Sequence, residues 1–272
     1  MGSVLKDDFR SNLHSGDRLV AGDHDYRAYV GAPENYDLLS AAQFNLLTRL
    51  GLREYHRVLD IGCGSLRVGK LLIPYLLPQH YYGIEPNGWL LDEGISREIG
   101  KDLIRLKQPH FNHDNNFTLS IFGEQFDFLL AQSIFSHTSI SQLKRCLSEA
   151  GKVMKPTSVF LATYLPGETN YQGTEWVYPQ CITYTPKFLE EITGQFGLST
   201  IHLPWAHPGD QHWIAITHPS NLERVSGMVE PGGKEILEDR IRQLKNRLAK
   251  IESYRLVRLG IQLRKAVRKL KK

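Results

Sequence analysis

The chain has 272 residues, 41% of them hydrophobic, which suits one domain of about 200–250 residues plus an appendage. Its three cysteines are odd in number and lack metal-ligand spacing, so we predict neither a disulfide framework nor a metal site. The net charge of +4 is uneven, because residues 235–272 hold 13 Lys or Arg against 4 Asp or Glu and leave an acidic excess elsewhere. This asymmetry argues against a nucleic-acid groove across the main body.

The amino-terminal segment is charged and has no apolar core of the kind found in signal peptides. No apolar run approaches the ~20 residues that span a bilayer. Together with the cysteine usage, these features predict a cytoplasmic protein in a reducing compartment.

Residues 1–35 form the first predicted segment, an irregular arm in which Gly and Pro mark turns. A helix over residues 38–50 follows, with Gly51 as its stop signal. It leads into residues 58–69, VLDIGCGSLRVG, in which β-forming residues predict a short buried strand.

Two glycines, Gly62 and Gly64, follow that strand, and apolar residues then recur at helical spacing. Pro74 should kink or shorten this helix. A strand that enters a helix through two glycines lets a ligand approach bare backbone at the helix amino terminus. The pattern therefore predicts a nucleotide or nucleoside site.

Residues 81–84 predict a second strand, which ends in Glu85. Glu85 comes 21 residues after Gly64, where doubly wound folds place a carboxylate that accepts from ribose hydroxyls. A dinucleotide fingerprint needs a small third residue, but the six residues GCGSLR end in Arg67. The turn favours a nucleoside with a short aminoacyl chain over one with a pyrophosphate.

With these motifs the sequence resembles the class I S-adenosyl-L-methionine (SAM)-dependent methyltransferases, whose first motif is a D-x-G-x-G turn and whose second strand ends in an acid. The resemblance covers residues 36–218. It implies a doubly wound, Rossmann-like α/β fold with a seven-stranded sheet and an antiparallel last strand. It also implies SAM as the cofactor, bound by Asp60, Gly62, Cys63, Gly64 and Glu85. Leu66 departs from the family, because many members have a third glycine there.

The resemblance implies that the arm over residues 1–35 is a lid, since an amino-terminal segment often closes over the cofactor in this family. Arg27 and Tyr29 are then the candidates to reach the cofactor's carboxylate. A polar arm packed on the surface explains the same residues equally well.

After Glu85 the pattern predicts a helix over residues 89–106 and a third strand within residues 109–117. The family places an acidic or amide side chain after this strand, against the adenine amino group. Asp114 and Asn116 are the two candidates, and the sequence does not separate them. A turn rich in Asp and Asn accounts for both residues almost as well.

The fourth predicted strand covers residues 126–131 and continues into QSIFSH. Ligands of open α/β sheets sit beyond the carboxyl ends of the strands, which puts Gln132, Ser133 and His137 in the crevice. The run resembles the family's fourth-strand motif, in which a polar residue lines the cofactor and a histidine often follows. His137 is our candidate catalytic base, although a capping or solvated histidine also fits.

The remaining elements are a helix over 140–155, a strand over 158–165, a helix over 186–196 and a terminal hairpin of residues 198–205 and 213–217. The irregular segment 166–185 overhangs the crevice and is rich in aromatic and acidic residues, which would suit a hydroxylated substrate such as a sugar. The predicted domains are the arm 1–35, the methyltransferase domain 36–220 and a tail 221–272.

The tail combines two amphipathic patterns. Leu237, Ile241, Leu244, Leu248 and Ile251 follow the spacing of a short coiled coil. Residues 253–272 then carry eight Lys or Arg, no acid and one apolar face, which predicts a basic helix that binds a membrane surface or a protein partner.

These observations lead to a SAM-dependent methyltransferase that methylates a hydroxyl of a glycan or small metabolite, with His137 assisting. We predict no nucleic-acid partner, and a peripheral contact with the inner membrane face or a protein through residues 234–272. Two alternatives stay open. One is an NAD-dependent oxidoreductase, and the other is a non-catalytic, methyltransferase-like adaptor tethered by its tail.

Overall fold

The computed structural model describes residues 19–229, 241–242 and 245–250. The chain divides into two units, of which the first ends at Met228 and the second begins at Val229. In the second unit, the described residues are helical, and the predicted seam residues Ile241 and Leu248 are exposed. The other seam residues and the basic segment 253–272 lie outside the described residues.

The first unit alternates helices and strands, as the sequence predicts. The helices are α1 (Tyr36–Arg49), α2 (Gly69–Tyr75), α3 (Gly88–Gly94), α4 (Lys101–Lys107), α5 (Ile140–Val153), α6 (Pro186–Gly194) and α7 (Leu222–Val229). The strands are β1 (Val58–Ile61), β2 (Tyr81–Ile84), β3 (His110–Asn112), β4 (Phe126–Ala131), β5 (Met154–Pro166), β6 (Thr183–Tyr184), β7 (Ser199–Leu203) and β8 (His212–Thr217).

The strands form one sheet in the order β3-β2-β1-β4-β5-β8-β7, and the short β6 pairs with the end of β5 outside this sequence of neighbours. Strands β1 to β5 pair in parallel, whereas β8 runs antiparallel to both β5 and β7. The predicted seven-stranded sheet with an antiparallel last strand is therefore confirmed, with β6 as an addition.

The core lies between this sheet and helices that turn apolar side chains toward it. On α5 these are Leu143, Cys146, Leu147 and Ala150, all fully buried against strand residues such as Leu129 and Phe160. Ser139 begins α5 with a capping box, in which its hydroxyl and the Gln142 side chain each accept an N–H from the other residue.

The predicted single helix over residues 89–106 is wrong. The chain instead forms α3, a five-residue π-helical turn (Ile95–Ile99) and α4, with Gly100 at φ +84° between the last two. Gly94 explains the tight packing of α3, because a Cβ there would lie 2.4 Å from the carbonyl oxygen of Ser65. Helix α2 ends one residue after Pro74, which is the shortening predicted for it.

The first unit continues to α7, past the predicted domain end at residue 220. Val225 of α7 is fully buried, and Arg224 donates to the carbonyl oxygen of Thr157. Among the described residues, no helix has the length and apolar content that crossing a membrane requires.

Candidate functional site

The turn after β1 contains three residues in the left-handed region, Gly62 (φ +70°), Gly64 (φ +54°) and Leu66 (φ +59°). A Cβ on Gly62 would lie 2.2 Å from Ile134, and one on Gly64 would lie 2.7 Å from Val30. Both glycines are therefore required by conformation and by space. Leu66 adopts the conformation that a third glycine would take more readily, and the burial of its side chain compensates for the strain.

Glu85 closes over this turn from the end of β2. Its Oε2 accepts the Gly64 N–H at 3.0 Å, and its Oε1 accepts both the backbone and side-chain N–H groups of Asn87 at 2.9 Å. Burial raises the pKa of this carboxyl above its ordinary value, and the three donors oppose the shift. The glutamate side chain is thus fixed against the glycine turn, and one Oε2 lone pair has no donor among the described residues.

Asp60 does not occupy the position that we predicted for it. Its carboxylate accepts the Tyr81 O–H at 2.7 Å, it is 4% exposed, and it does not line the adjoining cavity. Burial raises the pKa of Asp60 to about 7. Since alternate residues of a strand point to opposite faces, the Asp60 side chain points away from the cavity. It stabilises the turn through its hydrogen bond to Tyr81.

A cavity of about 750 Å³ opens over the turn, Glu85 and the carboxyl ends of the parallel strands. Its lining includes most of the predicted ligand-binding residues: Gly62, Cys63, Gly64, Glu85, Asp114, Gln132, Ser133 and His137. The volume falls within the range of about 300–1,000 Å³ that is typical of small-molecule sites. The sequence therefore identified the edge of the sheet where the cavity lies.

The loop after β3 separates the two candidates that the sequence left open. Asp114 lines the cavity, whereas Asn116 is exposed and outside it. The backbone N–H groups of Asn116 and Thr118 donate to Oδ2 of Asp114, which fixes the carboxylate. Phe117, at φ +56°, also lines the cavity and was not anticipated.

A network of neutral polar side chains follows β4. The Ser133 hydroxyl contacts the side chains of Gln132 (2.6 Å) and Gln211 (2.9 Å), and Thr163 donates to Gln211 at 2.6 Å. Ser133 itself is held at φ +58°, a conformation that costs free energy in a non-glycine residue. Gln132, Ser133 and Gln211 all line the cavity, so this edge offers hydroxyl and amide groups without charge.

His137 is held in one orientation by the segment that follows β5. Its Nδ1 lies 2.7 Å from the carbonyl oxygen of Val177 and 3.0 Å from that of Gln180. Carbonyl oxygens only accept, so the partners assign the proton of the neutral ring to Nδ1 and leave a lone pair on Nε2. Burial lowers the pKa of His137 below its ordinary value, which keeps the ring neutral near pH 7.

The arm over residues 19–35 and the segment 176–181 meet over the cavity. The Tyr178 hydroxyl donates to the carbonyl oxygen of Tyr29, and the two rings lie 4.9 Å apart. A Cβ on Gly22 would lie 2.6 Å from Pro179, so the backbones approach closely. Trp176, 40% exposed, lies beside His137 at a ring separation of 5.4 Å. We refer to these two segments together as the roof.

Arg27 does not reach the cavity, although the sequence analysis named it, with Tyr29, as a candidate to contact the cofactor's carboxylate. Its guanidinium pairs with Glu98 at 2.7 Å and with Asp37 at 3.6 Å, and it does not line the cavity. Tyr29 does line it. Arg27 therefore anchors the arm to the π-helical turn.

Arg67 places a positive charge in the lining of the cavity. The sequence analysis did not assign this residue to the site. It is 8% exposed, lines the cavity and forms no ion pair with a described acidic residue. The signal was present in the sequence, since Arg67 replaces the small residue of a dinucleotide fingerprint. Among the described residues, no group of three His, Cys, Asp or Glu side chains is arranged to hold a metal ion.

No protein-family model and no curated protein matches the sequence. Solved structures do match, among them a glycopeptide N-methyltransferase, MtfA, with a TM-score of 0.52 at 11% identity over 66% of this chain and 90% of that one. CcbJ methyltransferase from Streptomyces caelestis matches with a TM-score of 0.50 at 14% identity over 70% and 97% of the two chains.

Magnesium protoporphyrin IX methyltransferase from Synechocystis PCC 6803, crystallised with S-adenosylhomocysteine (SAH), matches with a TM-score of 0.51 at 15% identity over 68% and 86% of the chains. At these identities the comparison concerns the fold. The chain has the fold of class I SAM-dependent methyltransferases.

Proposed function

We propose that this chain, which has a methyltransferase fold, is a SAM-dependent methyltransferase that transfers a methyl group to a hydroxyl of a glycan or small metabolite. The observation that carries the proposal is the contact of Glu85 with the Gly64 amide, which fixes a carboxylate at the glycine turn. A carboxylate fixed there can accept from the ribose hydroxyls of a nucleoside that rests on Gly62 and Gly64.

The residues present fit the cofactor in two further respects. The absence of side chains at Gly62 and Gly64 leaves a surface that a Cβ would fill, as the short distances to Ile134 and Val30 demonstrate. Two backbone amides hold Oδ2 of Asp114, and Oδ1 has no donor among the described residues, so it can accept from an adenine amino group. When bound, SAM supplies a methyl group activated by a sulfonium.

His137 supplies the base in this proposal. Its Nε2 lone pair would accept the proton of the acceptor hydroxyl, and the bound cofactor would supply the methyl group that the oxygen takes up. The carbonyl oxygens of Val177 and Gln180 stabilise the protonated ring, because both continue to accept from Nδ1. The roof holds the acceptor in line, and this positioning provides most of the acceleration.

The surroundings of His137 support a hydroxylated acceptor. Trp176 and Tyr178 offer aromatic faces for a sugar ring, and Ser133 and Gln211 offer neutral hydrogen-bonding groups. The sequence of segment 166–185 predicted an acidic contribution to this lining as well, but its acidic residues Glu168 and Glu175 do not line the cavity.

Two observations weigh against the oxidoreductase alternative. The β7–β8 hairpin and antiparallel β8 differ from the all-parallel 3-2-1-4-5-6 order of the dinucleotide fold. The Gly62 and Cys63 amides donate to the carbonyl oxygen of Ile84, so neither faces a pyrophosphate. The adaptor alternative predicts weak or absent cofactor binding, which a calorimetric titration with SAH tests.

The test of the reaction uses SAM with a labelled methyl group and a panel of sugars, glycans and hydroxylated metabolites. We expect a gain of one methyl group by mass in one acceptor class, with SAH as the second product. Transfer to nitrogen or carbon acceptors alone would refute O-methylation, and SAM binding without transfer to any acceptor would refute methylation of a glycan or small metabolite. A His137→Ala variant that binds SAH normally serves as the control for enzyme-dependent transfer.

For the carboxyl-terminal segment we propose that residues 234–272 hold a cytoplasmic protein at an anionic membrane surface. The support is the composition of residues 253–272, with eight cations, no acid and regularly spaced apolar residues. Flotation with anionic liposomes should carry the full chain but not a chain ending at residue 233. Equal partitioning of both would contradict a membrane role and favour a protein partner.

A further inference from the structure

The guanidinium of Arg67 is a buried charge that has no anionic partner among the described residues. One terminal nitrogen, Nη1, donates to the carbonyl oxygen of Val30 at 2.6 Å, and Nη2 donates to the Gln132 amide oxygen. Its Nε is buried and has no hydrogen-bond partner. Both partners are neutral, so the positive charge is solvated by dipoles alone.

Neighbouring titratable groups do not neutralise this charge. Asp60 acts on it electrostatically without an ion pair, and its hydrogen bond goes to Tyr81. His207, beside Gln132, has a pKa lowered to about 4 by burial and by Arg67, so it is neutral near pH 7. Buried charges in proteins are usually paired, because desolvation without a partner is costly. An anionic group of a ligand is the partner that is missing.

The position of Arg67 indicates which ligand supplies that group. Gly64 contacts Glu85 through its amide, and it lies against Val30, whose carbonyl oxygen holds Arg67. Glu85 and Arg67 therefore flank the same glycine, one as an anion and one as a cation. A ligand with hydroxyls at one end and an anion a short chain away would satisfy both.

We propose that Arg67 binds the carboxylate of the cofactor's aminoacyl chain and thereby selects SAM and SAH over adenine nucleosides that lack this group. The inference rests on the proposed function, which supplies the nucleoside at Glu85. Arg67 takes the role that the sequence suggested for Arg27, whose charge is already neutralised by Glu98 and Asp37.

The experiment compares three ligands by calorimetry: SAH, its decarboxylated analogue and 5′-methylthioadenosine, which lacks the whole aminoacyl group. Each is titrated into the wild type and into Arg67→Met and Arg67→Lys. For Arg67→Met we expect SAH to bind roughly 30-fold more weakly or worse, since one partner of a buried charge pair is lost. Decarboxylated SAH and 5′-methylthioadenosine should change by less than about threefold. Arg67→Lys should recover part of the SAH affinity, because it keeps the charge.

Arg27→Met is the matched control, because it removes a cation from the arm rather than from the cavity. It should alter the affinities for all three ligands by the same factor. Equal weakening of all three ligands by Arg67→Met, or unchanged SAH affinity, would overturn the role of Arg67. A wild type that binds 5′-methylthioadenosine but gains nothing from the carboxylate would overturn it while leaving the nucleoside site intact. A wild type that binds none of the three would refute the proposed function as well.

Discussion

Replacement of Glu85 by Gln tests the contact on which the proposed cofactor site depends. The carboxylate has about four acceptor positions, and three are taken by the Gly64 and Asn87 donors. One position on Oε2 is left for a ribose hydroxyl. In the variant, the carbonyl oxygen is expected to turn toward the two Asn87 donors. The NH₂ group then faces Gly64 and the ligand, where an acceptor is needed.

The expected loss is one charge-assisted hydrogen bond, worth about 1.5–3 kcal/mol. This corresponds to SAH binding that is roughly 10- to 150-fold weaker, measured by calorimetry at pH 7.5. Glu85→Ala should weaken binding further and also lower stability, since three donors lose their partner.

Glu149→Gln provides a control of similar chemistry. Glu149 is a buried carboxylate on α5 that accepts from the backbone and hydroxyl of Ser120 and does not line the cavity. It should lower thermal stability without changing SAH affinity. Wild-type affinity in Glu85→Gln, or equal weakening by both variants, would refute this account of Glu85.

Three further predictions follow from the site. Asp60→Asn should stabilise the fold at pH 8 by on the order of 4 kcal/mol at most, because the pKa of Asp60 is raised from 3.8 to about 7 and the folded state must ionise this buried carboxyl at pH 8. The gain in the free energy of unfolding, measured by denaturant titration, should shrink as the pH falls toward 4. A gain that does not depend on pH would contradict the raised pKa. His137→Ala should lower kcat by about 10²- to 10⁴-fold with unchanged SAH affinity. In the wild type, the acidic limb of the pH profile of kcat should have its midpoint below 6.5, since the pKa of His137 is lowered. A midpoint above 6.5 argues against a neutral histidine as the base. Gly64→Ala should abolish SAH binding or weaken it more than tenfold. Gly123 is the control, because it has a similar positive φ but no neighbour within 4 Å of an added Cβ. Gly123→Ala should lower the free energy of unfolding only by the backbone strain, about 1–2 kcal/mol.

The sequence predicted which residues line the cavity beside the glycine turn, because that part of the cavity depends on local features. The two glycines, the strand before them and Glu85 lie within 28 residues of one another. Since parallel strands end at one edge, the order of the strands brings these residues together. The same reasoning placed Gln132, Ser133 and His137 at the cavity.

The sequence predicted less where the outcome depends on long-range pairing. Asp60 and Arg67 both belong to the stretch 58–69, and only the packing of Tyr81 and Val30 decides that one supports the turn while the other faces the cavity. Arg27 and Glu98 pair across a sequence separation of 71 residues. Glu98 also lies in a π-helical turn, for which the spacing of apolar residues predicts ordinary α-helix. Charge partners at such separations leave no local pattern.

The most direct test of the central claim is a calorimetric titration of the wild-type protein with SAH and, separately, with NADH. We expect saturable one-to-one binding of SAH and no binding of NADH. No saturable heat with SAH, or binding of NADH in its place, would contradict it.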